Sequence, residues 1–347
     1  MEFCGQDFPL DTQEIDCVNH SIESLAPLRR FAQLRRLRLW LTDPHRYQVH
    51  PLADLSPLQS LENLELLELP KSAVNDLGPL QGLRNLSSID LHSTQVHDLA
   101  PLRGLRALRK LDVSDTPVDD VSALKDLRGL TVLRLNGTAV KDLAPLREMT
   151  SLEDLGISGT PIQDIGPIAG LRIVTEATRL DFGSTRLASL SGLNNAARLK
   201  ELFLFSTLVT NLEPLLGLSG LETLRLDNTP VNDLTPLNGL KHLECLTLSG
   251  TAVTELSGVR ELVNLRELDL ENTSVSDLEP LRGLAKLEKL VLAGTLNRDL
   301  EPLQGLVSLT FLDLRRAPVS ESQVAELKRI LSGLEVSASL SLRGPMR

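Results

Sequence analysis

Aromatic side chains are scarce in this chain: one Trp, one Tyr and seven Phe in 347 residues. The core must therefore be aliphatic, and each ring calls for an explanation of its place. Cysteine is nearly as rare, at Cys4, Cys17 and Cys245. Three cysteines exclude a disulfide framework. Cys17 falls at an inward repeat position and reads as a small core residue, so the thiols predict a reducing, cytoplasmic setting. No apolar run of about 18 residues exists to cross a membrane. The segment Met1–Asp7 lacks the basic and apolar stretches of a secretory signal. Lys and Arg number 36 against 46 Asp and Glu, a net charge of −10. That balance excludes non-specific binding to nucleic acid, which needs clustered cations. Phosphate-cradling glycine loops and C-x-x-C pairs are also missing.

What the chain has in abundance is leucine at fixed intervals. Taking the first residue of each Leu-x-Leu triplet, the marks fall at Ile15, Leu37, Leu67, Ile89, Leu111, Leu133, Leu155, Leu180, Leu202, Leu224, Leu246, Leu268, Leu290, Leu312 and Leu334. Twelve of the fourteen intervals are 22 residues; the others are 30 (Leu37 to Leu67) and 25 (Leu155 to Leu180). The unit reads L-x-x-L-x-x-L-x-L-x-x-T-x-V-x-D-L-x-P-L-x-G. A fixed period of this size indicates a solenoid, in which each unit packs only on its neighbours and the core grows in one dimension.

One unit shows how the coil is built. Ile89 and Leu91 face inward from a short strand while Ser88, Asp90 and His92 alternate outward. Thr94 ends the strand, Val96 returns to the core, and Asp98-Leu99-Ala100-Pro101-Leu102 starts a helical or 3₁₀ turn on the opposite side. Asp98 is placed to cap that turn, and Pro101 sits in the first turn, where no N–H is missed. The slot repeats as Asp at 54, 76, 98, 120, 142, 164, 233, 277 and 299, with Ser24, Ser189 and Asn211 as substitutes and Glu255 as a poor one. These carboxylates are therefore caps, not catalytic acids. The threonine column (Thr42, 94, 116, 138, 160, 185, 207, 229, 251, 273 and 295) predicts buried hydroxyls bonded to backbone of the adjacent coil. Near the end, Ser320-Glu321-Ser322-Gln323 is a capping-box pattern for a helix near 320–332, followed by a strand at Leu334-Glu335-Val336. The organisation predicted is an N-terminal segment over 1–14, about fourteen repeats plus a final strand over 15–336, and a tail over 337–347. The first strand is expected to be an open edge, which another chain could cover.

The phrase V-x-D-L-x-P-L-x-G-L-x-x-L stands at Val96 to Leu108, Val140 to Leu152, Val231 to Leu243 and Val275 to Leu287. It resembles the leucine-rich repeat of the bacterial internalin type, close to the 22-residue repeats of the SDS22 type, over about residues 15–336. The resemblance implies an α/β solenoid: a curved right-handed coil with a parallel sheet on the concave face and short helical or 3₁₀ turns on the convex face. It also implies a protein partner held on the concave sheet. Thr stands at the strand end where that family usually has Asn, and no immunoglobulin-like module or surface anchor is visible.

Four of the nine aromatics, Trp40, Phe203, Phe205 and Phe311, take outward positions on predicted strands. Phe203 and Phe205 are two apart and project to the same side, beside the small residues Gly156, Ser158 and Gly183 and flanked by Arg179, Asp181, Arg225 and Asp227. Exposed rings ringed by charge are the expected anatomy of a binding hot spot. A second patch combines Arg36, Arg38 and Trp40 with the insertion Asp43 to His50, which adds Arg46 and Tyr47. Enzyme signals are weak. His45 and His50 share a loop with Asp43, and His92 and His97 bracket one turn, but no metal geometry is evident. Cys245 has His242 three residues earlier without an orienting group. The reading is a non-catalytic protein-interaction module without cofactor. The alternatives are a regulatory subunit that docks on an enzyme and a secreted adhesin.

Overall fold

The computed structural model describes residues 1–18, 20, 22–40 and 51–338; the predicted loop patch with Asp43, His45, Arg46, Tyr47 and His50 lies outside them. The chain forms two compact units, Met1–Ile162 with Gly170–Ile173, and Gln163–Ala169 with Val174–Arg347.

In the first unit a hairpin of β1 (Glu2–Phe3) and β2 (Gln6–Asp7) precedes a seven-stranded parallel sheet. Its strands are β3 (Glu14–Val18), β4 (Arg36–Trp40), β5 (Leu66–Glu68), β6 (Ser88–Asp90), β7 (Lys110–Asp112), β8 (Val132–Arg134) and β9 (Asp154–Gly156). They lie side by side in chain order. The 25-residue interval carries a short helix, α1 (Arg172–Thr175), through which the boundary between the units runs. The second unit holds an eight-stranded parallel sheet, again in chain order: β10 (Arg179–Asp181), β11 (Glu201–Phe203), β12 (Thr223–Arg225), β13 (Cys245–Thr247), β14 (Glu267–Asp269), β15 (Lys289–Val291), β16 (Phe311–Asp313) and β17 (Glu335–Ser337). A longer helix, α2 (Glu321–Ile330), precedes β17.

The register follows the leucine marks. Leu180, Leu202, Leu224, Leu246, Leu268, Leu290 and Leu312 stand opposite one another strand by strand. A step of 22 residues is a whole coil, so the alternation of faces is preserved at every crossing and the aliphatic columns coincide. Leu83, Leu86, Ile89, Leu91, Val96, Leu102 and Leu105 are all fully buried. Each such burial stabilises by about 1.5–3 kcal/mol relative to exposure.

The back of each coil is a 3₁₀ turn, such as Ala100–Gly104, with proline in its first two positions wherever the repeat supplies one. The cap differs in detail from the expectation. The residue preceding the 3₁₀ turn is the apolar residue after the Asp, Leu99 in this coil, and its side chain caps nothing. Asp98 instead accepts from the N–H of Ala100, two residues on, at 2.8 Å. Short side chains favour this local turn because an oxygen on Cγ or Cβ reaches that amide without strain. The substitutes behave alike: Ser24, Ser189 and Asn211 each accept from the amide two residues on.

The threonine column is also corrected. Thr94 donates to Leu91 O of its own coil at 2.7 Å, not to the neighbouring coil. Thr138, Thr207 and Thr273 repeat the bond to the carbonyl three residues back, and Ser72 stands in at Leu69 O. The reason lies one residue earlier. Ser93, Ser184, Ser206, Asn228 and Asn272 have φ between 55° and 58°, and this left-handed step folds the threonine back over its own strand.

At the N-terminus the cysteine reading fails: Cys4 and Cys17 form a disulfide. Cys4 and Gly5 are the two central residues of the hairpin turn, with φ of 45° and 74°, which suits the primed turn that two-residue hairpins use. Phe3, 5 % exposed, and the bridge place this hairpin on the first coil. At the other end β17 pairs Leu312 with Val336, two residues later than the count from Leu312 predicts. The α-helix there rises only about 1.5 Å per residue against about 2.0 Å for a 3₁₀ turn, so more residues are used. Ser320 and Gln323 form the capping box of that helix.

Candidate functional site

The open face of the second sheet, away from the 3₁₀ turns, carries the predicted rings. Phe203 lies between Asp181 and Arg225 in the strand register. It is not the exposed ring that the alternation implies: only 9 % of it is accessible. Two guanidinium groups cover it, Arg179 with Cζ 4.5 Å and Arg225 with Cζ 5.2 Å from the ring centroid. The arginines come from the strands on either side, β10 and β12, so the ring is flanked by cations whose attraction to its π face holds all three side chains in place.

Phe205, two residues on, remains half-buried. Its ring rests on Gly183: a Cβ built there would lie 2.2 Å from Phe205 Cζ. Glycine at this place is what lets the ring lie down on the sheet. The two acids named beside the rings are engaged within the sheet. Asp181 accepts from Gly183 N at 2.9 Å. Asp227 accepts from Thr247 Oγ1 at 2.5 Å and from Ser249 N at 3.2 Å.

Ion pairs organise most of the other cations of this sheet. Arg179 approaches Glu201 at 3.6 Å, Lys200 meets Glu222 at 2.7 Å, and Arg266 meets Glu288 at 2.5 Å. Lys289 pairs with Glu267, Arg315 with Asp313, and Arg316 with Glu271. Arg225 is exposed and makes no ion pair among the described residues.

The other predicted contact residues lie on other strands. Phe311, on β16, is half-buried between Lys289 and Glu335, five strands or roughly 24 Å from Phe203 at ordinary strand spacing. Trp40, Arg36 and Arg38 belong to the first unit. There Arg38 is held by Glu14 at 2.7 Å and Glu68 at 3.1 Å, with Asp16 at 3.9 Å. Trp40 Nε1 donates to the same Glu68 at 3.1 Å. Those donors are already used within the fold; Arg36 is exposed.

One cluster escapes a search for motifs in the linear sequence. Asp90, His92 and Asp112 bring potential metal-ligand atoms within 4.8 Å of one another. Asp90 and Asp112 are register partners on β6 and β7, so counting by 22 would have found them. Each carboxylate already accepts a backbone N–H, from His92 and from Ser114. The hydrogen bond to Asp90 raises the His92 pKa above its ordinary value, against the opposing effect of burial. The Cys245 thiol is pushed up to about 11, by burial first and then by Glu267, and it stays protonated near neutrality. His242 bonds through Nδ1 to Ser219 O, and the Cys245 thiol donates to Glu267 at 3.9 Å.

Comparison with known proteins agrees with this architecture. A family model described as leucine-rich repeats in two copies matches residues 241–283 and 263–305. No curated protein matches the sequence. Among solved structures the chain is similar to an internalin, InlF, from Listeria monocytogenes, with 22 % identity over 96 % of this chain and 88 % of that one and a TM-score of 0.72. It is also similar to a leucine-rich repeat protein of Leptospira interrogans, with 20 % identity over 94 % and 90 % of the two chains and a TM-score of 0.74. A plant peptide hormone receptor, solved in complex with RGF2, shares 16 % identity over 93 % of this chain and 54 % of its own, with a TM-score of 0.70.

Proposed function

We propose that this chain, which folds as a leucine-rich repeat solenoid, is a non-catalytic module that binds a protein partner on the open face of its second sheet. The observation that carries this reading is the pair of rings: Phe203 fixed between Arg179 and Arg225, and Phe205 laid on Gly183 with part of its surface accessible. An aromatic residue whose position is set by its own sheet loses little conformational entropy on binding, which is how a few residues come to dominate an interface. That the plant receptor of like fold was solved with RGF2 supports the same use of the scaffold. The raised thiol pKa of Cys245 argues against covalent catalysis there.

The test is selection of a displayed library of protein fragments on the full-length chain, followed by affinity measurement against variants. Phe205→Ala is expected to weaken the selected fragments by about 2 kcal/mol, roughly thirtyfold, with the thermal midpoint nearly unchanged. Gly183→Ala, which lifts the ring without removing it, should weaken them as well. Fragments that bind wild type and both variants alike would place the interface elsewhere.

The Cys4–Cys17 bridge favours folding in an oxidising compartment, since such bonds do not persist in a reducing one. That observation supports the secreted alternative over an enzyme-docking subunit of the cytoplasm.

A further inference from the structure

Arg225 differs from the other cations of its sheet. Six of them are matched to carboxylates of other coils or of their own turn. Arg225 is stacked on Phe203 instead. Its nearest candidate within the strand, Asp227, is engaged by Thr247 and Ser249. The guanidinium is thus oriented by a ring while its N–H fork stays unmatched and exposed. A fork presented in this way matches the two oxygens of a carboxylate, and its rigidity means little is lost on forming both bonds. Phe205 lies two residues beyond Phe203, the register partner of Arg225. One strand spacing across and two residues along put its Cα roughly 8 Å from that of Arg225. That separation is close to the span of two residues in an extended chain, roughly 6.6 Å.

We propose that the partner presents an extended acidic segment, in which one Asp or Glu docks on the Arg225 fork and an apolar side chain two residues away covers Phe205. This rests on the binding reading given above and specifies its chemistry. The overall charge of −10 does not decide against an acidic segment, because at physiological salt a charge is felt over about 8 Å. The group in direct reach is Arg225.

A random linear peptide library displayed on phage, selected on the full-length chain, tests it. Selected peptides should share an Asp or Glu two positions from an apolar residue. Arg225→Gln should weaken them roughly tenfold or more, the loss of a charged hydrogen-bonded pair. Arg225→Lys, which keeps the charge without the fork, should recover part of that loss. Selection on Arg225→Glu should shift the enrichment from acidic to basic peptides. Thermal midpoints equal to that of wild type would show that these surface variants fold.

Peptides that are weakened by Phe205→Ala yet lack an acidic residue and ignore Arg225→Glu would overturn this inference and leave the binding surface standing. Peptides indifferent to both positions would overturn both readings. A library that yields no enrichment would also overturn the acidic segment.

Discussion

Asn297 occupies the slot that Val96, Val231 and Val275 fill in other coils, and it is fully buried. Its Nδ2 has no hydrogen-bond partner. Its Oδ1 lies 2.5 Å from Thr295 Oγ1, a hydroxyl that is also 2.7 Å from Leu292 O. One hydroxyl proton cannot serve both acceptors, so the amide is under-satisfied at each end. A buried polar group in this condition costs about 1–3 kcal/mol. Asn297→Val restores the consensus side chain at nearly the same volume, and Thr295 keeps the bond to Leu292 that its counterparts make. The variant is expected to be more stable than wild type by about that amount, read as a higher denaturation midpoint. A lower midpoint would show that the amide does structural work in this coil.

At the scale of the element, the N-terminal hairpin has little of its own to hold it. Two strands of two residues each are too short to persist alone. Phe3 and the bridge from Cys4 to Cys17 on β3 fasten it to the first coil. With a sequence separation of 13 between the cysteines, closing the loop contributes on the order of 3 kcal/mol. Reduction should therefore release the hairpin before it affects the coils beyond. Hydrogen exchange of the reduced protein is expected to quicken in peptides covering residues 1–18 and to stay unchanged in those covering β11 to β16. Equal exchange with and without reductant would mean that packing of Phe3 suffices.

This element was illegible in the sequence for a physical reason. Residues 1–11 lie outside the repeat, so no column arithmetic brings Cys4 near Cys17, and three cysteines alone carry no pairing. The strands from β3 to β16 were legible because the period fixes both their place and their inward residues. The outward residues were legible only as positions. Alternation sets Phe203 on the open face, but it does not say that Arg179 and Arg225 close over the ring. That depends on rotamers chosen among neighbours on three strands. The same limit hid the free fork of Arg225, which is visible only once the carboxylates around it are seen to be taken.

At the scale of the whole molecule, each coil of a solenoid is interchangeable with its neighbours in the one respect that matters for folding, its register. Residues 253–274 form one complete period and contain β14. Removing them joins Ala252 to Val275, so the order Thr, small residue, Val, Asp, Leu is kept and Leu246 comes opposite Leu290. The shortened chain should fold cooperatively, with stability lower by about 1–3 kcal/mol for the 22 residues lost. Removing only residues 253–263 has a different outcome. Val253, Leu256, Val259 and Leu262, all buried in the intact coil, disappear together, and the remaining half-coil cannot pass behind the sheet to reach the next strand. That variant should lose the cooperative transition although it deletes half as many residues. Denaturant unfolding followed by far-ultraviolet circular dichroism separates the two. If both deletions unfold alike, stability follows chain length and not register, and the columnar account of this core is wrong.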